Sequence, residues 1–158
     1  MTINDILERH RETARQFFKF GIIGAMGFLV DWGMLEIGID VLNIDRLVDN
    51  AALNDGIHFV GLGRIAAGLF SFPFAVTATW IGNRHFTFRD APPMRAAKQL
   101  AKFAVVCAVG LVFNRGTYSL LIHYVPFIDD YPVIGLLGGT GIGMFFNFFA
   151  ARRHVFGM

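Results

Sequence analysis

Trp80-Ile81-Gly82-Asn83-Arg84-His85-Phe86-Thr87-Phe88 closes a long apolar run with a basic, aromatic, hydrogen-bonding plug, and the chain ends on a variant of it, Ala151-Arg152-Arg153-His154-Val155-Phe156. Aromatic rings and arginines side by side are what a helix carries where it leaves hydrocarbon for the headgroup layer. The two stretches read as two copies of one membrane boundary.

The rest of the chain agrees. Of its 158 residues, 54% are hydrophobic and only 16% charged, and the mean hydropathy is +0.52. That is too apolar for a water-soluble domain of this size. Phe and Gly, 18 of each, suit a lipid-facing surface on helices that approach each other through small residues. Cys107 is alone, which excludes an intramolecular disulfide. Apolar runs at about 17–42, 59–82, 100–124 and 131–150 each supply the roughly 20 helical residues that a hydrocarbon core requires. A barrel would instead alternate apolar and polar residues in segments of about 10. The chain is therefore expected to be an all-α membrane protein, one domain over 1–158 with four transmembrane helices.

Basic residues set the orientation. Arg9, Arg11, Arg15 and Lys19 precede the first run, Arg84, Arg89, Arg95, Lys98 and Lys102 join the second to the third, and Arg152 and Arg153 follow the fourth. By the positive-inside rule both termini and the central connection are cytoplasmic. Residues 1–15 carry Ile3, Ile6, Leu7 and His10 at helical spacing among charges, which predicts a short amphipathic helix on the membrane surface; a solvated terminus is the alternative. Pro73 predicts a kink in the second span, and Asp90-Ala91-Pro92-Pro93 a helix break after it. The first outer connection, about 43–58, carries turn chemistry at Asn54-Asp55-Gly56; it either folds over the outer mouth or is mobile.

A repeat underlies this organisation. Gln16 to Gly27 aligns without gaps on Gln99 to Gly110, superposing Lys19-Phe20 on Lys102-Phe103 and Asp31 on Asn114. A second register superposes Arg84 on Arg152 and Phe88 on Phe156, with Thr79 standing where the second copy has Asn147. Two helical hairpins of the same orientation, a parallel repeat, are implied.

Polar residues inside the spans are the candidates for function. Asp31 lies about a dozen residues past Lys19, near the bilayer midplane at about 1.5 Å per residue, and an ionisable group there is presumed to face a partner or a wet cavity. Asn114 and Arg115 sit at matching depth, so an Asp31–Arg115 ion pair is expected, as a structural pair or as part of a polar route. Glu36 and Arg64 form a second candidate pair toward the outer surface, unless either snorkels to water. At the inner boundary Arg84, Lys102 and Arg152, with Asn83, offer donors for phosphate oxygens, the arginines as bidentate forks; anchoring the spans is the plainer role for any one of them. No Walker loop, dinucleotide fingerprint, zinc spacing or nucleophile elbow occurs. No cofactor, metal, nucleic-acid partner or enzymatic activity is expected.

These residues resemble a known family. Lys19-Phe20-Gly21 opening the first span, Trp80-x-x-Asn83-Arg84-x-Phe86-Thr87-Phe88 closing the second, Lys102-Phe103 with Asn114 in the third, and Asn147-Phe148 through Arg152-x-x-Val155-Phe156 closing the fourth are similar to the GtrA-like family. The resemblance implies a small polytopic protein of the bacterial inner membrane, associated with cell-surface polysaccharide synthesis. It also implies movement of a polyprenyl-phosphate-linked sugar, such as undecaprenyl-phosphate glucose, or assistance to the glycosyltransferases that use one. Combined with the residues above, this gives a working picture. Asn83, Arg84, Lys102 and Arg152 dock the carrier phosphate, Asp31, Asn114 and Arg115 line the route, and Glu36 and Arg64 meet the head group at the outer exit. Four helices are few for an enclosed route, so a homodimer is expected. A non-transporting partner of a membrane glycosyltransferase and a small proton-coupled multidrug-type exporter are the alternative readings.

Overall fold

The structure, a computed structural model, describes residues 3–54 and 62–158. The expected start of the second span at Phe59 and the Asp55-Gly56 turn lie outside the described residues. Among those described, the order is α1 (Ile3–Glu36), a π-turn π1 (Ile37–Val41), α2 (Ile44–Asn54), α3 (Leu62–Gly82), π2 (Asn83–Thr87), α4 (Ala96–Tyr124), α5 (Pro126–Asp130), α6 (Pro132–Ala150) and π3 (Ala151–Val155). Four stretches are long and apolar enough to cross a membrane: Ile3–Val41, Leu62–Thr87, Ala96–Tyr124 and Val133–Val155. The protein is an all-α, multi-pass membrane protein.

The N-terminal segment differs from expectation. It is not a separate surface helix but the first turns of α1, which runs unbroken from Ile3 into the first span. The physical reason is the lack of a stop: Ile3 to Phe20 contains no Pro or Gly, and Leu7, Glu8, Arg9, Arg11, Glu12, Ala14, Arg15, Gln16 and Lys19 are all good helix formers. Thr13 donates its hydroxyl to the Arg9 carbonyl at 2.8 Å, and Gln16 Nε2 donates to Glu12 Oε1 at 3.2 Å, so the polar side chains are satisfied along the helix itself. The helix also continues through Pro73 without interruption in α3.

The chain divides into two compact units, one of residues 22–82 and one of residues 1–21 with 83–158. Within the first, the connection after the first span is itself helical. Asn43 adopts a left-handed φ of 51°, a conformation Asn tolerates better than most residues, and α2 then packs along α3. Ile44, Val48 and Ala52 recur at four-residue spacing, and Ala52 is buried. The junction is held by the Gly63 amide, which donates to Asp49 Oδ1 at 2.9 Å. A Cβ on Gly63 would collide with the backbone of Asp45. Gly63→Ala is therefore expected to destabilise the protein by about 1–3 kcal/mol, because backbone cannot swing aside as a side chain does. Gly68→Ala, whose Cβ would meet nothing within 4 Å, is expected to be neutral or slightly stabilising through helix propensity. Thermal midpoints of the two variants in detergent check the pair.

In the other unit α4 and α6 pack over most of their length, brought close by glycines. Gly110 lies under the Asn147 side chain, and Gly139 and Gly143 lie against Asn114. Pro126 and Pro132 open α5 and α6 at their first turns, where a missing N–H leaves no helical bond unmade. Gly157, at φ 69°, ends π3, and the Met158 amide returns to the Arg152 carbonyl at 2.9 Å. This is a glycine-terminated helix end of Schellman type.

Candidate functional site

The two boundary stretches identified in the sequence both become π-turns in matching register, π2 over Asn83–Thr87 and π3 over Ala151–Val155. Their closing bonds correspond as well: the Phe88 amide donates to the Asn83 carbonyl at 2.8 Å and the Phe156 amide to the Ala151 carbonyl at 2.9 Å. A π-turn ends each span with carbonyls that lack an intrahelical donor. In both copies a lysine supplies one. Lys19 Nζ donates to the Phe86 carbonyl at 3.2 Å, and Lys102 Nζ to the His154 carbonyl at 3.1 Å. The cation also opposes the negative end of the helix dipole.

Inside this collar sits an aromatic cluster. Phe88 and Phe156 stack with ring centroids 4.3 Å apart, Phe88 lies 6.0 Å from Phe148, Phe20 meets Phe88 and Phe148 edge-on at 6.2 and 5.6 Å, and Phe103 meets Phe156 at 6.3 Å. Asn83 and Thr87 are buried beside it. Gln16 and Gln99, superposed by the repeat, are both buried, and Arg84 donates through an Nη atom to Gln99 Oε1 at 2.6 Å.

A groove of about 580 Å³ runs between α4 and α6. Its walls are apolar: Ala101, Val105, Val106, Val109, Phe146 and Ala150. One end is different, because Lys102 and His154 stand there. A lysine ammonium carries three donors, so capping one carbonyl leaves Lys102 with two to offer.

The polar residues within the spans acquire partners that sequence reasoning had not named. Ser71, buried on α3, places its hydroxyl 2.7 Å from Asp31 Oδ1 and 3.1 Å from the Gly68 carbonyl. Asn114 Nδ2 donates to Thr140 Oγ1 at 3.3 Å. The expected Glu36–Arg64 pair is not formed among the described residues. Glu36 Oε1 accepts instead from Trp32 Nε1 at 2.9 Å, one turn back on the same helix, and Arg64 is exposed at the start of α3. Arg115 is exposed on α4. Asp31 and Arg115 belong to different units.

The repeat extends to the helix crossings. Gly110 faces Asn147, and Gly27, its counterpart, faces Thr79, so both second residues occupy the space that a Cβ on the glycine would need. Replacing Asn147 by Thr79 in the first copy keeps the crossing while exchanging an amide for a hydroxyl, which bonds back to the Ala75 carbonyl at 2.8 Å.

Residues 47–156, well over half of the chain, match the family described as GtrA/DPMS, transmembrane domain. The chain belongs to this family. The matched segment of this GtrA/DPMS protein begins in α2 and ends on Phe156, the second ring of the stacked pair. It therefore contains the groove, both π-turns and the Lys102 cap. Membership associates the protein with membrane processes that use polyprenyl-phosphate-linked sugars. No curated protein and no solved structure matches the chain. Ser71, Thr140 and His154 were not among the candidates read from sequence. Gln16 and Gln99 were signalled only as coincident landmarks of the repeat.

Proposed function

We propose that the protein translocates a polyprenyl-phosphate-linked sugar across the bacterial cytoplasmic membrane, as a transporter rather than an enzyme and as a homodimer. The observation that carries this reading is the open α4–α6 groove, apolar along its walls with Lys102 and His154 at one end. It matches an amphiphile with a long hydrocarbon tail and an anionic phosphate. The tail lies along Val105, Val106 and Val109, in contact with lipid, and the phosphate takes the free donors of Lys102. Asn83 and Arg84 hold the collar, Arg84 through its bond to Gln99. For the sugar, Asn114 and Arg115 in the unit that holds the groove, and separately Asp31, Glu36 and Arg64 in the other unit, offer polar groups that replace water in hydrocarbon. With both termini cytoplasmic, the groove's charged end is at the cytoplasmic leaflet. A second copy supplies the wall that four helices lack.

The test uses purified protein in liposomes, with a fluorescent polyprenyl-phosphate-sugar scored for exchange between leaflets. Wild type is expected to exceed protein-free vesicles, and Lys102→Gln to slow exchange by about tenfold, the worth of one charge-assisted hydrogen bond. Absence of exchange by the wild type removes the transport reading. Exchange that is unchanged in Lys102→Gln and Asp31→Asn leaves transport standing and removes the site.

A further inference from the structure

The repeat predicts two equivalent arginine–glutamine pairs across the collar, and the structure closes only one. Arg84 reaches Gln99 at 2.6 Å. The corresponding partners are Arg152 and Gln16, and both keep a buried polar atom without a hydrogen bond among the described residues: Nε of Arg152 and Oε1 of Gln16. The Gln16 amide has turned to Glu12 instead. A buried donor without an acceptor costs free energy that the closed copy does not spend, so the open copy calls for a ligand or a rearrangement.

Beside Arg152 lies a cavity of about 400 Å³, lined by Ile6, Arg9, His10 and Thr13 from the first turns of α1. Its size is within the range of small-molecule sites. Two guanidinium groups and an imidazole converge there, the Thr13 hydroxyl being engaged with the Arg9 carbonyl, and among the described residues no carboxylate lines it. The acidic side chains of the same helix, Asp5, Glu8 and Glu12, border a separate depression that shares only Arg9. Ile6, His10 and Thr13 follow one helical stripe and the three acids the next. A lining with two arginines, a histidine and one apolar lip suits an anion that carries several acceptor oxygens on one centre.

We infer that this cavity binds a phosphate group, held between Arg9 and Arg152, from a lipid head group or from a soluble phosphate ester. Phosphate oxygens take paired donors from arginine forks, and Arg9 and Arg152 present two such forks to this cavity from α1 and π3. The site is separate from the α4–α6 groove. Within π3, Arg152 faces this cavity while His154 lines the groove. The inference therefore rests on the cavity's own residues and not on lipid transport.

The test uses the full chain in phosphatidylcholine nanodiscs with two probes. In one arm inorganic pyrophosphate is titrated in; in the other, photoreactive phosphatidic acid is compared with photoreactive phosphatidylglycerol by cross-linking yield. Binding is expected in at least one arm, weakened about tenfold by Arg152→Gln and by Arg9→Gln, the loss of one charge-assisted contact each. Lys98→Gln and Arg153→Gln, which remove exposed charges elsewhere, are expected to leave it unchanged. The responding arm identifies the source, pyrophosphate for a soluble ester and phosphatidic acid for a lipid. Binding in neither arm overturns the site, as does an equal loss in the Lys98→Gln control or a loss in only one of the two arginine variants. Lys102→Gln retains this binding whatever its leaflet exchange, so the two assignments fail separately.

Discussion

Truncating Phe88 to alanine is expected to destabilise the protein by about 3 kcal/mol, at the lower end of the range for buried phenylalanine. The lower end applies because an unfolded helix in a bilayer is solvated by lipid, so the transfer contribution shrinks while the cavity contribution stays. Phe88 is 1% exposed and touches the rings of Phe20, Phe148 and Phe156. No neighbour on a different element can fill the void without leaving its own contacts. Phe156→Ala removes the other half of the stacked pair and is expected to cost about as much. The double variant should cost less than the sum, by roughly 0.5–1.5 kcal/mol, since each single change already removes the shared stack. Phe86, two residues away and 68% exposed, is the control; Phe86→Ala is expected to stay within about 0.5 kcal/mol. Unfolding followed by tryptophan fluorescence in mixed micelles checks the series. A Phe88→Ala cost no larger than that of Phe86→Ala would show that the collar is not packed as described.

The second large effect is expected at Gly139. A Cβ there would lie 2.5 Å from the Asn114 carbonyl oxygen, which belongs to the backbone of α4 and cannot move unless the helix moves. Gly139→Val therefore forces α4 and α6 apart, at a cost of about 3 kcal/mol or more. The Asn114–Thr140 hydrogen bond at 3.3 Å is lost with it. The groove between the same helices widens, so under the proposed transport function lipid-sugar exchange in liposomes should fall to the protein-free level. Gly141→Val provides the contrast, because a Cβ at Gly141 meets nothing within 4 Å. Equal stability of the two variants would mean that the crossing is looser than the geometry indicates.

Much of this architecture was legible in one dimension. The four spans follow from hydrophobic length, a local property that bilayer thickness turns into structure. The repeat was legible because its landmarks are polar: Gln16 with Gln99, Lys19 with Lys102, Arg84 with Arg152. The helicity of residues 44–54 was also present in the spacing of Ile44, Val48 and Ala52, though the turn chemistry at Asn54-Asp55-Gly56 favoured a reading as a connection. Continuity of α1 was written as an absence of breakers, which is harder to read than their presence. The Glu36–Arg64 pair failed because opposite charge at similar depth says nothing about helix phase, and Trp32 stood one turn away with a donor.

The position of the boundary stretch from Trp80 to Phe88, its duplication at the C-terminus and its basic, aromatic character were determined by the sequence alone, because composition and spacing are properties of the chain. Its internal bonding was decided by the tertiary structure. Lys19 and Lys102 each find a carbonyl at the far end of a hairpin, and Arg84 meets Gln99 while Arg152 does not meet Gln16. Two pairs that are identical as letters differ in three dimensions because a hydrogen bond needs a distance between helices to within a few tenths of an ångström, and helix packing alone sets that distance.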